Sequence, residues 1–190
     1  TQASIANLRG RIAAIRAFMA SHRGNLPGIL RYGRQALDYL PEQEEVWRSI
    51  TALTLGDVYG FQGDMHAAYD ARFKALQACT ASGNTYYTML ANMKLAITLR
   101  AQGRLQQTRE ICQQQLHLAK EYGHEQTPLS GLLLAILGEV LAEFNDLDTG
   151  RSHAAKGIAL GERGVDPVFI GWGYMCLIRI LYSRGEFDSI

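Results

Sequence analysis

The chain has 190 residues, 47% of them hydrophobic and 19% charged, and its 19 basic and 18 acidic side chains leave a net charge of +1. Interspersed, balanced charge argues against a nucleic-acid groove, which needs a concentrated basic face. No apolar run reaches the ~18–20 residues of a membrane span. The three cysteines (Cys79, Cys112, Cys176) are widely spaced without a Cys-x-x-Cys, which leaves zinc binding and thioredoxin-type redox chemistry without support.

In chain order, helices are expected at 3–23 and 26–40 around Gly24-Asn25, and at 43–62 and 65–82 around Gly63-Asp64. The next pairs are 85–102 and 105–122 around Gly103-Arg104, then 127–144 and 147–163 around Asn145-Asp146. A last helix, 167–184, runs into Gly185-Glu186. Between the pairs lie Leu40-Pro41, Gly83-Asn84, Gly123-His124 and Gly164-Val165. Glycine or asparagine just past a periodic stretch stops a helix because it takes the left-handed conformation at low cost. The apolar spacing of Leu95, Leu99, Leu105, Ile111, Cys112 and Leu116 is helical, and no stretch alternates as a strand would.

The five turns that split these pairs recur at intervals of 39, 40, 42 and 40 residues. A fixed period in this range marks a repeat protein whose units bury their apolar faces by stacking. Ahead of each turn stands Ala17, Gly56, Ala96, Gly138 or Ile178, mostly small, followed within a turn by Ala20, Tyr59, Leu99, Leu141 or Leu181. Leu55-Gly56, Tyr59, Gly63-Asp64, Ala67-Ala68 and Ala75 fit the tetratricopeptide pattern, although that repeat is about 34 residues long. The expected fold is therefore all-α: a right-handed α-α superhelix, a solenoid of about 4.5 helix pairs with a period near 40. Residues 1–190 form one repeat domain, with units at 3–40, 43–82, 85–122, 127–163 and a truncated 167–190. The chain reads as a fragment of a longer protein. Its terminal helices are expected to expose an apolar end that packs against another copy.

Catalytic signatures are missing. There is no phosphate-binding Gly-x4-Gly-Lys-Ser/Thr, no dinucleotide Gly-x-Gly-x-x-Gly and no Gly-x-Ser-x-Gly. The histidines (His22, His66, His117, His124, His153) never pair four apart, so no helical metal site is encoded. Neither a catalytic residue, nor a metal, nor a cofactor is expected within this chain, and the cysteines are read as buried free thiols in a reduced, cytoplasmic setting. Glu139 and Glu143 stand four apart on one helix and are read chiefly as a polar face. In a solenoid the first helix of each pair lines the concave groove. Projection onto that side selects Phe18, His22, Leu53, Asp57, Phe61, Met93, Ile97, Arg100, Ala135, Glu139, Ala142, Glu143, Trp172, Met175, Arg179 and Tyr182. Among these, Asp57, Phe61, Arg100, Glu139, Glu143, Trp172, Arg179 and Tyr182 are the candidate ligand-binding residues, since aromatic platforms beside carboxylates and guanidinium groups suit a sugar-like or peptide ligand. The alternative is that they make surface ion pairs and inter-repeat packing.

Two segments carry a family resemblance: Ala101-Gln102-Gly103-Arg104-Leu105, and Leu137-Gly138-Glu139-Val140-Leu141-Ala142-Glu143-Phe144-Asn145-Asp146-Leu147. Together they resemble the superhelical repeat region of the large LuxR-family regulators of the MalT type. Phe144 departs from the tryptophan common there. The resemblance implies a bacterial signal-transduction ATPase whose ATP-binding module and helix-turn-helix lie outside these residues. The repeat region would bind a small-molecule inducer, a regulatory protein or a peptide, and would touch neither nucleic acid nor membrane. The competing expectation is a tetratricopeptide-like interaction scaffold unrelated to transcription.

Overall fold

The computed structural model describes residues 2–164 and 167–186. Val165 of the expected break and residues 187–190 of the truncated repeat lie outside the described residues. Nine helices are found among the described residues: α1 Gln2–His22, α2 Leu26–Tyr39, α3 Glu45–Phe61, α4 Met65–Ala81, α5 Thr85–Ala101, α6 Leu105–Glu121, α7 Pro128–Glu143, α8 Leu147–Arg163 and α9 Pro167–Arg184. Every boundary falls within two residues of its expected place, and no strand occurs among the described residues.

The turns that set the period share one construction. Gly24, Gly63, Gly103, Asn145 and Gly185 all have positive φ, between 62° and 79°. In each turn the following amide reaches back five residues, from Asn25 to Ala20, Asp64 to Tyr59, Arg104 to Leu99, Asp146 to Leu141 and Glu186 to Leu181. That is the Schellman closure, which satisfies carbonyls the helix end would otherwise orphan. Three of the same following residues then start the next helix: Asn25, Asp64 and Asp146 accept from the amides of Gly28, Ala67 and Thr149. One dipeptide thus stops a helix and caps the next, which explains why the turns are so short. Gly164 is different. Its φ of −85° is right-handed, contrary to the expected left-handed stop. A Cβ there would stand 2.0 Å from Pro128 Cγ, so glycine is needed for room.

Contacts divide the chain into two units, 1–98 and 99–190. In the first, α1 packs on α2 and α3, α2 on α3, and α3 on α4. Its core is fine-grained: Ala13, Ala14, Ala36 and Leu40 close against Trp47, and Ala20, Ile29 and Val58 against Leu26, Leu30 and Leu55. In the second unit α7 packs on α6, α8 and α9. Leu129, Leu133, Ile136 and Val140 are wholly buried along α7.

The α7–α8 contact is the tightest, because glycines face glycines. A Cβ on Gly138 would lie 2.5 Å from the Gly150 carbonyl oxygen, and one on Gly131 2.6 Å from that of Gly157. The reciprocal distances, from Gly150 to Gly138 O and Gly157 to Gly131 O, are 2.6 and 2.4 Å. Backbones approach this closely only where side chains are absent, which adds dispersion and Cα–H···O contacts along the seam.

Candidate functional site

Asp57 and Glu139 occupy the same place in their repeats, each directly after the small residue, Gly56 or Gly138, that lets its helix pair close. The projection from sequence puts both in an open groove. Both are in fact buried, at 3% and 5% exposure. A residue next to the small anchor turns toward the first helices of the neighbouring repeats, and each carboxylate has partners there, joined at Asp57 by Arg72 from α4 of its own pair.

Asp57 is enclosed by cations. Arg72 Nη2 donates to its Oδ1 at 3.0 Å, the Lys94 ammonium donates to Oδ2, and Ser21 Oγ donates to the same oxygen. Arg72 Nη1 also donates to the Lys94 carbonyl at 3.0 Å and to Thr98 Oγ1. Glycines clear its path: a Cβ on Gly60 would meet Arg72 Nη2 at 3.0 Å. Burial alone would raise the Asp57 pKa, but the Lys94 and Arg72 charges and the bonds from Lys94 and Ser21 outweigh it and hold the carboxyl below its ordinary value. Burial pushes the Lys94 ammonium down, against the pull of Asp57 and with the repulsion of Arg72. The side chains of Asp57 and Arg72 are only 4% and 8% exposed. So buried, Asp57 acts as a lock between α1, α3, α4 and α5 instead of facing an open groove.

Glu139 is held in a similar manner but opens to solvent. Arg100 Nε lies 2.9 Å from Oε2, an ion pair whose N–H is not directed well enough to count as a hydrogen bond. Arg179 donates to Oε1, and Cys176 Sγ donates to Oε2 at 3.3 Å. The bond from Arg179 to Glu139 raises the guanidinium pKa further, and half of that side chain stays in water. Beside the triad is a cavity of about 380 Å³ lined by Arg100, Glu139, Pro167, Val168, Gly171, Trp172, Met175, Cys176 and Arg179. Trp172 is half-buried along one wall, Met175 is exposed, and no atom comes within 4 Å of a Cβ placed on Gly171. An indole face beside guanidinium and carboxylate groups can stack an apolar ring face while offering both donors and acceptors at its edge.

Four of the eight candidates therefore meet at one cavity: Arg100, Glu139, Trp172 and Arg179. Glu143 is exposed and acts on Arg179 only through its charge. Tyr182 is 67% exposed and Phe61 52% exposed, and neither lines the cavity. Leu53, Met93 and Ala135, projected into the groove, are buried in the core. Sequence reasoning missed Ser21, Arg72, Lys94, Thr98 and Cys176. Three of them carry a signal, an offset of about one repeat: Ser21 precedes Asp57 by 36 residues, Lys94 follows it by 37, and Cys176 follows Glu139 by 37, whereas Arg72 stands 15 residues from Asp57 and has no such signal. A second cavity of about 480 Å³, lined by Ala52, Ala75 and Ala78 together with Glu42, Glu45, Arg48 and Lys74, was also unforeseen.

No group of metal-ligating side chains forms among the described residues. Cys79, Cys112 and Cys176 are free and buried. Burial lifts the Cys79 thiol to about 11 and the Cys112 thiol to about 12, and burial together with the Glu139 charge raises Cys176 as well. None is a thiolate nucleophile near neutral pH. Within the described residues no helix is long and apolar enough to cross a membrane.

Residues 10–189 match the family model described as the MalT-like TPR region. The HTH-type transcriptional regulator MalT of Vibrio cholerae serotype O1 is 25% identical over 181 residues, which cover 95% of this chain and 20% of that protein. The chain thus spans a fifth of the length of this relative. Among solved structures, BtubC (BKLC) from P. vanneervenii superposes with a TM-score of 0.68 at 16% identity, covering 93% of this chain and 73% of that one. The apo form of RapI gives 0.63 at 14% identity, covering 93% and 49%. A putative kinesin light chain with TPR-like repeats from Podosopora anserina gives 0.63 at 13%, covering 94% and 88%. These likenesses agree with an all-α fold of tetratricopeptide-like repeats.

Proposed function

Since the chain belongs to the MalT-like TPR family, we propose that it is the sensor segment of a bacterial transcription regulator and that its inducer binds in the cavity of Arg100, Glu139, Trp172 and Arg179. A repeat scaffold without catalytic machinery suits a binding role. The observation that carries the reading is the half-exposed Arg179 beside a half-buried tryptophan, at the edge of an otherwise buried ion-pair cluster. A stacked ligand with hydroxyl or amide groups can share Arg179 with Glu139 without leaving a buried charge unpaired, whereas the Asp57 cluster offers no such entry.

The mechanism follows from where the residues sit. Arg100 is on α5, Glu139 on α7 and Arg179 on α9, so a ligand that engages the cavity reads the spacing of three successive first helices. Binding that favours one spacing shifts the balance between resting and active forms by its difference in affinity for the two. Flanking ATP-binding and helix-turn-helix modules, active in the cytoplasm, would report the shift. The test is a reporter driven by the full-length regulator. Trp172→Ala and Arg179→Ala should abolish the response to inducer at unchanged protein level. A full response in both variants overturns the assignment of this cavity.

A further inference from the structure

The cavity of about 480 Å³ in the first unit lies among α2, α3 and α4, with α1 before them in the chain and α5 after. Neither terminal helix forms any of its walls. Its volume falls within the ~300–1,000 Å³ of small-ligand sites. Four alanines (Ala52, Ala75, Ala78 and Ala81) and Leu37 supply the apolar lining, and no aromatic ring is among the lining residues. Two carboxylates and two cations share the remaining wall: Glu42, Glu45, Arg48 and Lys74.

None of these four charges is ion-paired among the described residues. Glu45 and Arg48 stand three apart on α3, where side chains are neighbours, and still do not meet. Arg48 is held elsewhere: its Nη1 donates to the carbonyls of Leu37 and Leu40 at 3.1 and 2.8 Å. Those bonds to the end of α2 fix the guanidinium, while its Nε and Nη2 donate to no protein acceptor among the described residues. Stacking of the repeats does not require this arrangement. One step on, from Gly63 to Gly103, the charged positions become Ser82, Thr85, Thr88 and Gln114. The alanines become Asn92, Gln115, Leu118 and Glu121, so larger side chains stand where this repeat keeps methyl groups.

A lone anion in this cavity would meet two carboxylates, and a lone cation two bases. A ligand carrying one charge of each sign finds a partner for both. Because Glu45 and Arg48 are one helical turn apart, the two ligand charges must lie close together, as they do on the single α-carbon of a free amino acid. A peptide separates them by at least one residue. The alanines leave room for an aliphatic side chain, and without an aromatic wall nothing stacks a flat ring. We propose that this cavity binds a free α-amino acid with an aliphatic side chain, its carboxylate on Arg48, its ammonium on Glu45 and its side chain against Ala52, Ala75 and Ala78. The site shares no residue with the cavity assigned to the inducer and does not depend on that reading.

The test is calorimetric titration of the whole chain with leucine, N-acetyl-leucine, leucinamide and glycine. Leucine should bind about tenfold more tightly than N-acetyl-leucine, which lacks the ammonium, and than leucinamide, which lacks the carboxylate. Glycine keeps both charges but offers nothing to the alanines, and should also bind about tenfold more weakly. Glu45 is exposed and unpaired, so Glu45→Gln should keep the fold and bring leucine down to the affinity of N-acetyl-leucine. The penalty for leucinamide should persist in that variant. Ala78→Phe, at an exposed position, should fill the cavity and abolish binding with the circular dichroism unchanged. Trp172→Ala should leave leucine binding as it is. No heat from leucine, equal affinity for the four compounds, or a preference unmoved by Glu45→Gln overturns the proposal. So does binding that survives Ala78→Phe or is lost in Trp172→Ala.

Discussion

Asp57→Asn removes the anion that stands between Arg72 and Lys94, two cations that water hardly reaches. The oxygens that accept from Arg72, Lys94 and Ser21 become one neutral amide. The Arg72 side chain is 8% exposed and that of Lys94 14%, so solvent screens little of the repulsion between them. Breaking a buried pair in this way costs about 3–5 kcal/mol. One route limits the loss. Burial already depresses the Lys94 pKa, so Lys94 can shed its proton and leave Arg72 as the single buried charge. Glu139→Gln is the informative comparison. Its partner Arg179 is 51% exposed and can turn into water, so the loss should be roughly 1–2 kcal/mol, mostly from Arg100. Urea unfolding followed by far-UV circular dichroism at neutral pH measures both. The expected result is a loss at Asp57 at least twice that at Glu139. A loss under about 1 kcal/mol for Asp57→Asn would refute the claim that the cluster locks the first unit.

Acid should act through the same residue. The Asp57 pKa is lowered from 3.8 in the fold, so its contribution is complete above that value and is lost as pH falls through the depressed one. Stability measured against pH should fall less steeply there in Asp57→Asn than in the wild type. In the second unit, Gly138→Ala drives a methyl to 2.5 Å from the Gly150 carbonyl and should cost about 1–3 kcal/mol by forcing α7 from α8. Thermal unfolding checks this against Gly171→Ala, whose Cβ meets nothing within 4 Å and should be neutral or stabilising. The thiols, lifted to about 11 at Cys79 and about 12 at Cys112, should resist alkylation by iodoacetamide at neutral pH in the folded protein and react on denaturation. Rapid labelling of the native protein would contradict their burial.

Architecture was legible because it is written in local chemistry. A left-handed glycine or Asn145 followed by a capping Asn25, Asp64 or Asp146 fixes where helices stop and start, and that signal needs no partner from elsewhere. Gly164 looked the same in sequence but answers to the approach of Pro128, a contact 36 residues away that no local pattern carries. The site was half legible for a related reason. Arg100, Glu139, Trp172 and Arg179 lie on first helices, where projection looked for them. Arg72 lies on the second helix of its pair and reaches back across Gly56 and Gly60 to Asp57. Projection onto a groove assumed that charges seek water. A carboxylate beside a small anchor instead finds a cation one repeat further on, Lys94 for Asp57 and Arg179 for Glu139, joined by Arg72 from the same repeat or Arg100 from the one before, and is buried among them.

Two equivalent carboxylates part ways in this fold, Asp57 sealed in a lock and Glu139 at the edge of the cavity proposed to take the inducer. A thermal-shift screen of the chain against a library of small carbohydrates and short peptides tests it most directly. Compounds that raise the melting temperature of the wild type should still raise that of Asp57→Asn and should leave Trp172→Ala and Arg179→Ala unmoved. Hits that shift Trp172→Ala and Arg179→Ala as fully as the wild type, or that vanish in Asp57→Asn alone, would contradict it.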